Sequence, residues 1–339
     1  MKISRAAPAA VALSIGFVVV YSLLFGVRFE DIVSIGFGTL FASSLLILLR
    51  LIVQGIRFHL LTSGLDIRRS VASSVFVRVS SEFVSLATPT FIGGEAVRIA
   101  WLKVHGAELG KAAWLIFLEI YLDVVSTALV VYASVLYLLV HQEYLIAALG
   151  AAVSTATTAF FTFIFLFSRK SILHIPSWLQ RVIKVLLGES RGGRIIDSVE
   201  QTLLGYHNSA SNTHSIFAFK RTLGILLCTI AMIFLSGAVT QIILTSTPTL
   251  GGLLLSTSGF YISLVIGALP ITIGGSGISE LVLSHFAANI LGSSSWARVI
   301  AWRILTYHIP LTISGLSLTL LSYRELTPKK IKSVSCTSS

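Results

Sequence analysis

The chain has 339 residues, of which 55% are hydrophobic and only 12% charged, with a mean hydropathy of +0.89. A soluble domain carries about 25% charged residues, so this composition excludes an ordinary soluble globule and points to a polytopic membrane protein. The net charge of +11 does not indicate nucleic-acid binding, because the basic residues sit in short segments between apolar runs and form no basic domain. Anionic lipid headgroups are their natural counterpart.

Lys2 and Arg5 precede an apolar stretch over 6–27 that is long enough to span and is read as an uncleaved first helix. Further full-length apolar runs occupy 32–56, 111–140, 143–168, 219–246 and 297–322. Each approaches or exceeds the ~20 residues that cross ~30 Å of hydrocarbon. Two other regions, 71–105 and 250–292, are apolar but interrupted. In the segment between the fourth and fifth runs, Trp178, Leu179, Val182 and Ile183 alternate with Arg181 and Lys184, the pattern of an amphipathic interfacial helix. The following Arg191-Gly192-Gly193-Arg194 reads as a flexible turn, and the polar tail 327–339 as disordered. Cys228 and Cys336 give neither a metal spacing nor a disulfide framework.

Charge in the connections orients these runs. Lys2 and Arg5 place the N-terminus in the cytoplasm, as Arg324, Lys329, Lys330 and Lys332 place the C-terminus. Arg50, Arg57, Arg68 and Arg69 are assigned to the inner end of the second run. Basic residues outnumber Glu189, Asp197 and Glu200 in the connection 169–218, which is therefore cytoplasmic. Region 71–105 must then enter and leave from inside, and region 250–292 from outside, so the two interrupted regions are hairpins of opposite orientation.

Each hairpin contains one copy of a short motif: Pro89-Thr90-Phe91-Ile92-Gly93-Gly94 and Pro270-Ile271-Thr272-Ile273-Gly274-Gly275. A proline followed by paired glycines breaks a helix, and a break in lipid strands backbone groups that hydrocarbon cannot satisfy. Such breaks mark binding sites in repeated transporters. A helix restarting after Gly94 or Gly277 offers free N–H groups and a positive dipole end, which suit an anion such as phosphate. Glu95 and Arg98 follow the first break; Ser276, Gly277 and Glu280 follow the second.

Glu119 and Asp123 lie four apart in an apolar helix and share a face, where an unpaired carboxylate costs several kcal/mol. Arg303 is their expected counter-ion, and proton relay through Glu119, Asp123 and His308 is a further option. Pro310, just past His308, is expected to kink the last helix. Glu82 is expected to pair with Arg78 at i,i+4. Gly274-Gly275-Ser276-Gly277 also matches the short G-x-S-G pattern of rhomboid proteases, with His285, Asn289 and His308 nearby in sequence. That reading leaves the first copy unexplained, since Glu95 replaces the serine.

At Pro89, Gly93, Gly94, Glu95 and Arg98, and at Pro270, Gly274, Gly275, Gly277 and Glu280, the chain resembles the lysylphosphatidylglycerol synthase transmembrane-region family. The resemblance covers about 6–325, nearly the whole chain, and its second signature is the more specific. It implies a flippase-like membrane domain, here standing alone, without the synthase or glycosyltransferase portion that accompanies it elsewhere. Ser279 departs from the basic or bulky residue expected before Glu280.

The sequence therefore predicts an all-α polytopic protein of the cell membrane with about eight hydrophobic segments: six full-length helices and two broken hairpins. The single transmembrane domain spans 1–326, with halves at about 32–140 and 219–322 forming an inverted repeat. The expected function is translocation of a phospholipid or polyprenyl-linked anionic headgroup between leaflets. The headgroup would be held by Gly93, Gly94, Glu95, Arg98, Gly274, Gly275, Ser276, Gly277, Glu280 and Arg303. The alternative is an accessory subunit presenting lipid to a separate glycosyltransferase or lipid-modifying enzyme. No catalytic residue, cofactor, metal or nucleic-acid partner is expected, and the chain is not read as an enzyme.

Overall fold

A computed structural model describes residues 16, 19–20, 22–65, 67, 69–88, 93–170, 175–211, 218–245, 248–269, 274–290 and 295–324. The helix breaks at Pro89 and Pro270, most of the predicted first helix and the polar tail lie outside the described residues. Among the described residues every regular element is a helix: α1 (Phe29–Val33), α2 (Phe37–Thr62), α3 (Val71–Leu86), α4 (Gly94–Val104), α5 (Leu109–Val140), α6 (Tyr144–Lys170) and α7 (Ser177–Leu187). They continue with α8 (Glu189–Ser211), α9 (Phe219–Thr245), α10 (Leu250–Gly267), α11 (Ile278–Ile290), α12 (Trp296–Arg303), a π turn (Ile304–His308) and α13 (Ile309–Arg324).

Six segments are long and apolar enough to cross a membrane: α2, α5, α6, α9, α10 and the continuous 296–323 stretch. Five coincide with predicted full-length runs. The sixth, α10, was expected as half of a hairpin, and its 18 residues stand at the lower limit for a span. By contrast α3, with 16 residues, is about 24 Å long at 1.5 Å per residue, too short to cross unaided.

Both interrupted regions do fold back on themselves. The start of α4 returns to the end of α3, where Gly94 N donates to Ser85 Oγ at 3.2 Å. A Cβ on Gly94 would collide with the Ser81 carbonyl. In the second region a Cβ on Gly275 would lie 2.6 Å from the Gly267 carbonyl at the end of α10. The first arm of each hairpin also meets the preceding long helix at one glycine: Gly55 of α2 against the Val75 backbone of α3, and Gly237 of α9 against Thr257 of α10. Neither contact leaves room for a methyl group.

The two halves interlock. α2 packs along α9, α3 lies against α13 of the second half, and α10 lies against α5 of the first. Two apolar cores result, one at each end of the bundle. Ile47, Val131, Val239, Tyr261, Phe286 and Trp302 belong to one. Phe58, Val77, Trp101, Leu115, Ile225 and Leu311 belong to the other. Along α2, α5, α9 and the last span, the chain passes from one core to the other at Gln54–Arg57, Glu119–Asp123, Thr229 and Arg303–Tyr307. Charged and polar residues are thereby gathered into a belt between the two cores.

Within the connection read as 169–218, one stretch differs from its reading. Gly192 and Gly193 lie inside α8, and no flexible turn occurs there. Gly192 is buried because a Cβ would sit 2.8 Å from the Lys184 backbone of α7, so the glycine permits close helix packing. α8 in turn packs on α5 and α6 around Trp114, Phe165 and Tyr206.

Candidate functional site

The belt contains two ion clusters. In the first, Glu119 of α5 is 1% exposed and sits among three arginines. Its Oε1 lies 2.9 Å from Arg78 Nε and 3.9 Å from Arg57 Nη2, and its Oε2 lies 3.1 Å from Arg98 Nη1. Asp123, one turn on, takes Arg57 in a two-pronged grip: Oδ1 to Nη1 at 2.5 Å and Oδ2 to Nη2 at 2.8 Å. Arg78 also holds Glu82 at 2.6 Å, the pair anticipated from their spacing. Arg98 holds Glu95 at 3.1 Å. A buried arginine costs several kcal/mol unless paired, and here each of the three is paired at least once.

The shared face of Glu119 and Asp123 is therefore real, but their counter-ion is not Arg303. Arg57, Arg78 and Arg98 take that role. The sequence places Arg57 at the inner end of the second run because the apolar run ends at Ile56. α2 instead continues to Thr62, and Arg57 is fully buried. The available signal was its setting, Ile56-Arg57-Phe58, where a loop would be more polar.

Arg303 belongs to the second cluster. Its Nε lies 2.9 Å from Glu280 Oε1, and its Nη2 donates to the Gly274 carbonyl at 2.6 Å and to Ser276 Oγ at 3.1 Å. The guanidinium lies over the Tyr307 ring at 4.1 Å, within cation–π range. The π turn at 304–308 supports this arrangement. Pro310 cannot donate to the helical ladder and crowds the preceding turn, so the helix widens just before it.

The two glycine loops are built alike. Gly93 N donates to Glu95 Oε2 at 2.5 Å, and Gly277 N donates to Glu280 Oε2 at 2.8 Å. In each, a glutamate in the first turn of the restarting helix takes a loop N–H with one oxygen and an arginine with the other. The helix ends expected to receive phosphate thus hold carboxylates of their own chain. Gly93, Gly274, Gly275 and Gly277 all have positive φ, which only glycine adopts without strain. Gly94, Gly274, Gly275 and Ser276 are buried.

One side chain joins the two hairpins. The Tyr307 hydroxyl donates to the Leu86 carbonyl at 2.9 Å, at the end of the first hairpin's rising arm. The same ring fills the space that a Cβ on Gly274 would need, in the second hairpin's loop. Of the remaining candidates, His308 stands beside Tyr307 at 5.1 Å between rings, next to the second cluster. His285 pairs with Glu143 at 2.8 Å, away from Ser276, which accepts from Arg303; this arrangement does not resemble a serine–histidine pair.

Comparison with known proteins agrees with the architecture. A "UPF0104 membrane protein" of Archaeoglobus fulgidus is 24% identical over 288 residues, which are 83% of this chain and 85% of the relative. The family described as "Lysylphosphatidylglycerol synthase TM region" matches residues 6–315, which include both glycine loops and both ion clusters. The chain belongs to this family of multi-pass membrane domains, whose setting is membrane lipid.

Proposed function

We propose that the chain moves a lipid with a phosphate-bearing headgroup between leaflets of the cell membrane, as a transporter and not an enzyme. The observation that carries this reading is Tyr307, whose ring packs on the Gly274 loop while its hydroxyl reaches the Leu86 carbonyl of the first hairpin, in a charged belt between two apolar cores. Charge at that depth is costly, and its usual use is a pathway or site for polar cargo. The exchange of packing partners between halves suits an inverted repeat, with both termini cytoplasmic and the hairpins entering from opposite faces.

All three arginines of the first cluster hold carboxylates, so a phosphate must displace one. The more exposed partners are Asp123, at 40%, and Glu95, at 22%. Arg57 Nε and Arg98 Nε are buried without a hydrogen-bond partner among the described residues. A phosphate offers three acceptor oxygens to such donors, and the planar guanidinium fork matches them. Arg57 and Arg98 would exchange Asp123 and Glu95 for the headgroup while Glu119 keeps them in place. The carboxylates so released are the candidates for proton uptake. Because Glu95 and Glu280 already occupy the Gly93 and Gly277 N–H groups, access for a headgroup requires one hairpin to part from the other at Tyr307.

The same occupied N–H groups favour a second reading, an accessory subunit that presents lipid to a separate glycosyltransferase or lipid-modifying enzyme without moving it. A photoreactive phospholipid tests the shared premise. Cross-links in peptides containing 93–98, 119–123 and 274–280, competed by unlabelled lipid, are expected. Labelling confined to the lipid-facing side of α6 contradicts a headgroup site. Competition by a soluble glycerophosphate as strong as that by whole lipid would instead indicate a small-solute carrier.

A further inference from the structure

α7 carries two faces with different tasks. On one face Gln180 Nε2 donates to Glu200 Oε1 at 3.2 Å, and the Lys184 backbone is closed upon by Gly192, so α7 is fastened to α8. On the other, Trp178, Val182 and Val185 are 64%, 44% and 83% exposed. Their i, i+4, i+7 spacing aligns them in one stripe. Arg181 borders the stripe and Lys184 lies toward the α8 side, both exposed and neither ion-paired among the described residues. A soluble helix does not leave such a stripe uncovered.

Chain length fixes where the stripe can be. Only five residue steps separate Lys170, the end of span α6, from Ile175, a reach of at most ~18 Å. α7 therefore stays close to the membrane face at which α6 emerges. Arg169, Lys170 and Lys220 are exposed around the same ends of α6 and α9, making the surrounding field positive, while Glu189 and Asp197 are the exposed acids of α8. An apolar stripe edged by free cations beside a bilayer matches an anionic lipid surface and not an acidic protein groove, which would leave Trp178 and Val185 unpaired with acyl chains.

We propose that α7 docks on the anionic leaflet, with Trp178, Val182 and Val185 in the headgroup boundary and Arg181 and Lys184 on lipid phosphates. The contact is transmitted inward. α8 is seated on α5 so tightly that a Cβ on Gly110 would lie 2.5 Å from Tyr206 N, and the Trp114 and Tyr206 rings meet edge to face at 5.2 Å. His207 Nδ1 is bonded to the Ser168 carbonyl of α6 at 2.8 Å. α5 carries Glu119 and Asp123, so lipid bound at α7 holds the helix that organises the first ion cluster. The inference does not depend on whether the chain transports.

The test places a polarity-sensitive fluorophore on Val185→Cys in the full chain with Cys228 and Cys336 replaced by serine. The protein is reconstituted into vesicles of phosphatidylcholine alone or mixed with phosphatidylglycerol. Blue-shifted emission, quenched by brominated acyl chains, is expected in the mixed vesicles. The docked-to-undocked ratio should fall about fivefold for each charge removed by Arg181→Gln and Lys184→Gln, since a basic residue near such a surface contributes ~1 kcal/mol. Water-like emission in both vesicles would overturn the proposal and indicate a different occupant for the stripe. Quenching that is the same in both vesicles and in the double variant would overturn the anionic-lipid assignment. Elution and helical content identical to the parent show that neither variant acts through unfolding.

Discussion

Glu280 has both oxygens committed, one to Arg303 and one to the Gly277 N–H. Glu280→Gln keeps the shape but leaves Arg303 buried beside a neutral amide. Breaking a buried pair costs about 3–5 kcal/mol, whereas removing both charges is often nearly neutral. Thermal unfolding in detergent should show a large loss for Glu280→Gln and partial recovery in Glu280→Gln with Arg303→Met. A loss in the double variant equal to the sum of the Glu280→Gln and Arg303→Met losses would mean that the pair is not coupled. Arg98→Lys should not restore what Arg98→Ala removes, because Arg98 spans Glu95 and Glu119 at once and a point charge cannot. Headgroup-dependent photolabelling of the two variants checks this. Gly275 also changes its meaning at this scale. With positive φ and the Gly267 carbonyl in contact, Gly275→Leu disrupts the fold and says little about the headgroup.

At the scale of helices, glycine again decides how close elements come. Gly55→Ala pushes a methyl to 2.5 Å from the Val75 backbone, and overpacking of this kind typically costs 1–3 kcal/mol. Gly193, one residue past Gly192 in α8, has open space around its missing Cβ. Gly193→Ala should therefore stabilise by about 0.5–1 kcal/mol through helix propensity alone. Melting curves of the two variants should move in opposite directions. The contrast explains what sequence could and could not reveal here. The amphipathic pattern over 177–187 was legible because period and charge are local. The Arg-Gly-Gly-Arg stretch was misread because a glycine pair signals a turn unless another helix, invisible in the sequence, rests on it. The carboxylate face of α5 was likewise legible from its four-residue spacing. Its partner Arg57, on another helix, was hidden by its position near a predicted boundary.

Across the whole molecule, the packing of α2 on α9, α3 on α13 and α10 on α5 holds the halves together, and Tyr307 ties their hairpins. Tyr307 contributes a hydroxyl to the Leu86 carbonyl and a ring to the Gly274 loop. Tyr307→Phe keeps the ring and removes the tie, and membrane-buried hydrogen bonds of this type are worth about 0.6 kcal/mol on average. Stability should change little, while any process limited by separation of the hairpins should change rate. The two motif copies and the family membership were readable from sequence because proline and paired glycines are rare in lipid. The tyrosine that couples the copies was not, since its role depends on a π turn that brings residue 307 between them.

The most direct measurement is leaflet exchange of a fluorescent phosphate-headgroup lipid in vesicles containing only the purified protein, read by quenching of the outer leaflet. The account predicts protein-dependent exchange that is lost in Arg98→Ala and altered in rate by Tyr307→Phe. Exchange no faster than in protein-free vesicles, with photolabelling of the glycine loops intact, would contradict translocation and leave the accessory role.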